Sequence, residues 1–527
     1  MDSHSKVEKI KLNNCELTEK SCSVLAAVLS SKTILKELNL NNSRLLDSGV
    51  RKICEGLKNP VCELKILNLS DCSITEEGYE ALASALRSNP SHLIELDLRG
   101  NDPGQSGVKE LTELLQDPHC ALKTLRFLRS PAADEGCQLV TGVVGKNPLL
   151  LKELNLSDHE LGDTRVNQLS ALLQDKHCQI NTLNLSYCSI TEKQCEILTS
   201  ALKSNPSHLR ELDLSGNELG DFQSLGSLLK NQQFKLEKLI LCVCSIKEKQ
   251  CEILTSALKS NPSHLRELNL SGNELKHRRV KQFFDVLKKS TCKLERLRLR
   301  YCSIQADDCT DLASALKSNP SHLRELDLSG NNLGDSGVKK LSDLLINQQF
   351  KLEKLRLSYC SITEKQCVIL TSALKSNPSH LRELNLNGNR LGDSGADGLN
   401  HLLSSVDCKL NKLHLCDCSI TEKQLLIPIT ATCMGLLHLR ELDLSKNQIK
   451  NQGVYMLCDV LKNPRCRLKR LRLNDCGITD VTPLTQSLTK DKALKFLKEL
   501  ELSKNQMGFF EKQKLSDLLR DSNCKLR

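Results

Sequence analysis

Hydrophobic residues recur along this chain in one fixed frame. Leu64, Leu67, Leu69, Cys72 and Ile74 spell L-x-x-L-x-L-x-x-C-x-I. The frame returns at Leu93, Leu122, Leu151 and Ile180. It then runs through Leu209, Leu236, Leu265, Leu294, Leu323, Leu352, Leu381, Leu410, Leu439, Leu468 and Leu497. Earlier copies start at Val7 and Leu35, which makes 18 copies spaced 27 to 29 residues apart. A repeat unit contacts only its neighbours, so a length of 527 residues does not here imply several globular domains.

Each unit has two halves. The L-x-L segment predicts a short strand whose leucines point into the core while the residues between them point out. A stretch such as 191–202 then carries apolar residues at Cys195, Ile197, Leu198, Ala201 and Leu202, which is helical spacing. Thr191 and Gln194 form a capping box and Asn205-Pro206 a stop, while Asp335 and Asp393 are expected at the N-caps of other units. This is the leucine-rich-repeat pattern, and it predicts an α/β solenoid: a horseshoe with a parallel sheet on the concave face and helices on the convex face. The bend follows because a helix is wider than the strand spacing of about 4.8 Å. Residues 1–6 are expected to be a short N-terminal extension and 7–527 one solenoid of 18 leucine-rich repeats, ending with Cys524 to Arg527 at the start of a nineteenth. The fifth unit, from Leu122 to Ser130, is degenerate, with Phe127 and Ser130 in place of the usual residues.

Two unit types alternate. Odd units put Cys at the ninth frame position (Cys15, Cys72, Cys188, Cys244, Cys302, Cys360, Cys418 and Cys476). Even units mostly put Asn there (Asn101, Asn217, Asn273, Asn331, Asn389, Asn447 and Asn505). Either can donate or accept toward a turn whose backbone would otherwise be buried unpaired. In this alternation the chain resembles ribonuclease inhibitor and, equally, the C-terminal repeats of the NOD-like receptors of innate immunity. Segment 191–219 recurs almost unchanged at 247–275, differing only at Thr191/Lys247 and Asp213/Asn269. Such recent duplication is similar to the expanded receptor families of fishes. The resemblance implies a cytosolic, protein-binding repeat region, either ligand-sensing or autoinhibitory. The alternatives it implies are an enzyme inhibitor resembling ribonuclease inhibitor and a GTPase-activating protein of the same fold. Pancreatic-type ribonucleases are basic, so their inhibitor should be acidic, whereas this chain carries a net charge of +10.

Composition narrows the chemistry. Aromatics make up 3% and Trp is absent, so the core must be built from aliphatic layers. The 74 basic and 64 acidic residues are mixed along the chain without a basic run, so no nucleic-acid partner is expected. The N-terminus lacks an apolar signal segment and no window is long and apolar enough to span a membrane, which points to the cytoplasm. Equivalent cysteines of alternate strands would lie about 10 Å apart, beyond the roughly 7 Å between Cα atoms that a disulfide allows. The 26 cysteines therefore read as reduced core residues. His414, Cys416 and Cys418 hint at a metal cluster, but Cys418 should turn inward and a second ligand pair is missing, so no metal is expected. The histidines His208, His264, His322 and His380 recur every two repeats, too far apart to share an ion, and read as loop residues. Gly142, Gly145 and Lys146 lack the spacing of a phosphate loop. Since no catalytic constellation emerges, no enzyme activity and no cofactor are expected.

A protein partner is expected on the concave face. Even units place Glu at the third frame position (Glu95, Glu153, Glu211, Glu267, Glu325, Glu383, Glu441, Glu499), and late odd units place a base there (Lys238, Arg296, Lys354, Lys412, Arg470). In register these form a ladder of alternating sign, exposed along the concave face. One patch is richer in Arg and Tyr, the residues favoured at binding hot spots. The candidate contact residues are Tyr187, Lys238, Arg296, Arg298, Arg300, Tyr301, Lys354, Arg356, Tyr359 and Arg472.

Overall fold

In the computed structural model, residues 7–126, 152–422 and 438–526 are described, apart from 33, 91, 118, 159, 177, 207, 261–263, 276, 320–321, 378–379, 406, 463–465, 491–496 and 521–523. The N-terminal extension, the degenerate Phe127–Ser130 stretch and the Gly142–Lys146 segment lie outside them. The chain divides into two compact units, residues 1–245 with 256–265 and residues 246–255 with 266–527.

Both units are built alike. Each L-x-L segment is a three-residue strand, and each strand pairs in parallel with the next at the same frame position. In the first unit Glu37 stands beside Ile66, and Ile66 beside Glu95. In the second, Glu267 stands beside Arg296, Arg296 beside Glu325 and Glu325 beside Lys354. Between strands the chain forms helices such as Ala306–Ser318 and Gly334–Leu345, so the α/β leucine-rich-repeat architecture holds in each unit.

The core lies between strands and helices. Leu297, Leu299, Leu326 and Leu328 are at most 1% exposed, and Cys309, Leu312, Ala315 and Leu316 close over them from the helix above. A fully buried leucine contributes about 2–3 kcal/mol of apolar transfer energy, so repetition supplies what the missing aromatics do not. The Thr191–Gln194 capping box is present, and Asn205 follows the last residue of its helix, Ser204, as expected. Asp335 and Asp393 are a correction: their helices begin at Gly334 and Gly392, with Leu333 and Leu391 as N-caps. Asp335 instead accepts from Gln366 Nε2 in the following helix, and Asp47 Oδ1 accepts from the N-cap amide of Thr75 at 2.8 Å. The carboxylate thus ties the start of one helix to the start of the next rather than capping its own.

The turn after each strand is held by the ninth-position residues. Asn331 Oδ1 accepts from Cys302 N at 3.0 Å and Ile304 N at 2.9 Å, while its Nδ2 donates to Leu299 O and Leu328 O at 2.7 Å each. Asn101, Asn217, Asn389, Asn447 and Asn505 repeat this four-bond pattern. The cysteines complete it from the other side. Cys360 Sγ donates to Leu328 O at 3.3 Å, so that one carbonyl receives both the amide of Asn331 and the thiol of Cys360. Burial raises the Cys360 thiol to about 12, which keeps it protonated and able to donate. All described cysteines except Cys15, Cys242 and Cys416 are buried.

Replacing Asn331 with Ala strands the amides of Cys302 and Ile304 and the carbonyl of Leu299 inside the protein, and leaves the Leu328 carbonyl with the Cys360 thiol alone. At about 1–3 kcal/mol for a buried unsatisfied group, with partial relaxation, Asn331→Ala is expected to destabilise the second unit by roughly 3 kcal/mol. Urea denaturation measures this, and a loss below about 1 kcal/mol would contradict the pattern.

Candidate protein-binding face

The outward side chains of the strands form the candidate face. In the second unit the third-position residues stand in the expected lateral order, Glu267, Arg296, Glu325, Lys354, Glu383, Lys412, Glu441, Arg470 and Glu499. Arg296 reaches Glu267 at 2.9 Å and Arg470 reaches Glu499 at 3.1 Å.

The glutamates are not the exposed rungs that the frame suggests. Glu267, Glu325, Glu383 and Glu441 are 3–7% exposed, and the reason is the fifth-position arginines. Arg298 extends to both sides, meeting Glu267 at 2.7 Å and Glu325 at 3.0 Å. Arg356 spans Glu325 and Glu383 at 2.5 and 2.7 Å, and Arg472 spans Glu441 and Glu501 at 2.5 and 2.8 Å. A planar guanidinium with donors on both edges can do this where an ammonium cannot. Burial pushes the Glu325 carboxyl up, but Arg298 and Arg356 outweigh it and hold the group below the usual carboxylate range. Glu441 is held low in the same way, burial being outweighed by Arg472. The signal was available in the sequence as Arg at the fifth position of odd units flanked by Glu at the third position of even ones.

The ten candidate residues therefore divide. Arg298, Arg356 and Arg472 are about one quarter exposed, with both ends of the guanidinium engaged. Arg296, Arg300 and Lys354 are 43–50% exposed and present free surface. Arg296, Arg298, Lys354 and Arg356 converge on the shared carboxylates of Glu267 and Glu325. Arg472 lies four strands beyond Arg356, roughly 19 Å away at the strand spacing, and belongs to a separate cluster. In the first unit Lys238 pairs with Glu211 at 3.1 Å.

Tyr187, Tyr301 and Tyr359 occupy the eighth position, where the backbone is left-handed with φ of 54°, 50° and 53°. Even units put Gly there, at Gly216, Gly330 and Gly388. Each tyrosine ring covers the glycine of the next repeat, close enough that a Cβ on Gly330 would lie 2.3 Å from the Tyr301 ring. The outer ring faces remain exposed, leaving the tyrosines 50–55% accessible. The Arg300 guanidinium lies 5.8 Å from the centre of the Tyr301 ring and its Nε 3.9 Å from Asp327. Arg300 thus links Tyr301 to Asp327, which stands on the strand between Arg298 and Arg356, while Tyr359 leans on Gly388 one strand further on. Further along this face, His414 and Cys416 are half-buried, and Cys418 turns inward to donate to Leu386 O at 3.2 Å. Among the described residues no helix is long and apolar enough to cross a membrane.

Known proteins share this repeat. The Leucine Rich repeat family model matches residues 62–83, 205–221, 261–276, 319–342, 377–399 and 435–458. The ribonuclease inhibitor of Sus scrofa is 36% identical over 422 residues, covering 79% of this chain and 89% of that protein. The Mus musculus ribonuclease inhibitor is 35% identical, covering 72% and 83%. The human NACHT, LRR and PYD domains-containing protein 14 is also 36% identical over 76% of this chain, which spans only 36% of its length.

The Glu325 carboxyl gives this face a defined acid response. A carboxylate held low in the folded state contributes stability that is complete above its unfolded value of about 4.3 and is lost as pH falls through the lower folded value. The stability difference between the wild type and Glu325→Gln is therefore expected to stay constant from about pH 8 to 5 and to shrink below about pH 4. Denaturation series at each pH measure it, and a difference that changes between about pH 8 and 5 would contradict the assignment.

Proposed function

Since the chain belongs to the ribonuclease-inhibitor family of leucine-rich-repeat proteins, we propose that it is a binding scaffold, not an enzyme, which holds a protein partner on the strand face. The observation that carries this reading is a set of half-exposed Arg and Tyr side chains fixed on a rigid base of buried ion pairs. A binding site of this kind presents its side chains already ordered and so loses little entropy on association. The tyrosines add exposed ring area to it, on a left-handed turn position that recurs in other repeats at Asp71, Val243, Asp417 and Lys446. The contacts are Tyr301, Arg300, Arg296 and Lys354, with Arg298 and Arg356 holding them in place. Tyr359 and Arg472 are further contacts along the strands of the second unit, and Tyr187 and Lys238 are the corresponding candidates within the first unit.

In this reading the chain is the ligand-sensing or autoinhibitory repeat region of a cytoplasmic NOD-like receptor, acting without cofactor, metal, membrane or nucleic acid. Its similarity to a NACHT-containing protein supports this. The alternative, an inhibitor of a ribonuclease, is favoured by the high coverage of the pig protein. The net charge of +10 weighs against a basic enzyme target. A GTPase-activating role on the same fold has no observation in its favour.

Substitution at the tyrosines separates binding from folding, because Tyr301→Gly installs the residue that even units already carry. The paired variant Tyr301→Gly with Tyr359→Gly is expected to change stability by no more than about 1 kcal/mol. It should also weaken partner binding by roughly 30-fold, as loss of a hot-spot aromatic does. A photo-crosslinker placed at Arg300 should trap a discrete cytosolic protein, lost in the paired variant, whereas one placed at Lys339 on a helix should not. Adducts that form equally at Lys339, or that survive the paired variant, would overturn the strand-face reading. Inhibition of a pancreatic-type ribonuclease at nanomolar chain would transfer the same face to the alternative.

A further inference from the structure

The edge of the second unit where the strands begin carries a charge pattern unrelated to the strand face. The strands Glu325–Asp327, Lys354–Arg356, Glu383–Asn385 and Lys412–His414 are preceded by His322-Leu323-Arg324, Lys351-Leu352-Glu353, His380-Leu381-Arg382 and Lys409-Leu410-Asn411. The central leucines are 2–6% exposed, so the flanking side chains stand outward along one rim. Backbone bonds fix their lateral order: Glu353 N donates to Arg324 O at 2.8 Å, Arg382 N to Glu353 O at 2.8 Å, and Asn411 N to Arg382 O at 2.7 Å.

The acids do not balance the bases on this rim. Glu353 approaches Arg324 at 3.8 Å. Lys351, Arg382 and Lys409 are exposed, and none has a carboxylate within 4 Å among the described residues. His380 sits among them. Its imidazole is held below the usual range by burial first, and then by Lys351, Arg324, Arg382 and Lys409. A surplus of like charges offset by the single carboxylate of Glu353 costs stability, and a bound anion would relieve that cost.

We propose that this rim, formed by Lys351, Arg382 and Lys409 around His380, is a docking site for an acidic polypeptide segment, separate from the strand face. Successive rungs lie about 4.8 Å apart, close to the 5.4 Å pitch at which a helix presents one carboxylate per turn. A single-stranded nucleic acid would bring charge as well, but such sites combine a basic track with exposed aromatic side chains on which bases stack, and this rim has no Phe, Tyr or Trp, its imidazoles His322 and His380 being partly buried. An acidic protein segment lying along the rim meets the cations without that requirement.

The test is fluorescence anisotropy on the full chain at low salt, with a labelled ten-residue polyglutamate peptide and a labelled ten-nucleotide oligothymidylate as probes. The peptide is expected to bind more tightly than the oligonucleotide. The triple variant Lys351→Gln, Arg382→Gln, Lys409→Gln should weaken peptide binding by roughly tenfold. The charge-matched variant Lys339→Gln, Lys340→Gln, Lys365→Gln, on exposed helix positions, should change it less than twofold, as should Tyr301→Gly with Tyr359→Gly. Equal losses in both triple variants would mean attraction by net charge alone and overturn the site. Tighter binding of the oligonucleotide would overturn the choice of partner, and an unchanged affinity in the rim variant with an unaltered circular dichroism spectrum would overturn the proposal outright.

Discussion

The structure depends on satisfying the backbone where each strand turns away from the sheet. In the repeats that carry the Asn–Cys pair, as at Cys302–Ile304, the chain leaves the strand through a buried turn whose amides donate to an asparagine side chain and not to the sheet. An asparagine with two donors and an acceptor oxygen closes four backbone groups at once, as Asn331 does for Cys302, Ile304, Leu299 and Leu328. A cysteine then supplies one more donor from the following repeat. The two act on one group, since the carbonyl of Leu328 has two lone pairs and receives one bond from each. The alternation of Asn and Cys is therefore the consequence of a shared hydrogen-bonding problem solved once per pair of repeats.

That constraint carries through to the face. With the turns fixed, the strands stand in exact lateral register, and a glutamate on one strand must face whatever the two neighbouring strands carry. The arginines at the fifth position use this geometry, each reaching two glutamates across successive strands. Burying the carboxylates costs desolvation, and the paired guanidinium offsets it, holding the Glu325 and Glu441 carboxyls below the usual carboxylate range. The result is a floor of engaged charge above which Arg296, Arg300, Lys354 and the tyrosines stand in defined positions.

Much of this was legible in the sequence because a frame of leucines fixes both the strand and the direction of every side chain on it. The register of Glu267, Arg296 and Glu325 followed directly. The depth of the glutamates did not follow, because frame position gives direction and not burial. Burial depends on how far Arg298 and Arg356 bend across neighbouring strands. The aspartates misread as N-caps show the same limit: Asp335 lies in the first turn of its helix, yet its partner Gln366 belongs to the next repeat. The left-handed backbone at Tyr301 could have been anticipated from the glycine at the same position of the following unit. The fifth repeat, lacking Cys at its ninth position, offered no such frame to read.

The most direct measurement of the central claim is amide hydrogen exchange of the full chain at the turns. The Cys302, Ile304, Cys360, Ile362, Cys418 and Ile420 amides donate to buried asparagines and not to the sheet. If the asparagine ladder holds the face rigid, these amides exchange as slowly as those of the strands themselves. Exchange at the rate of open loops, with the strand amides still protected, would mean that the turns are not locked and that the face above them is not preformed.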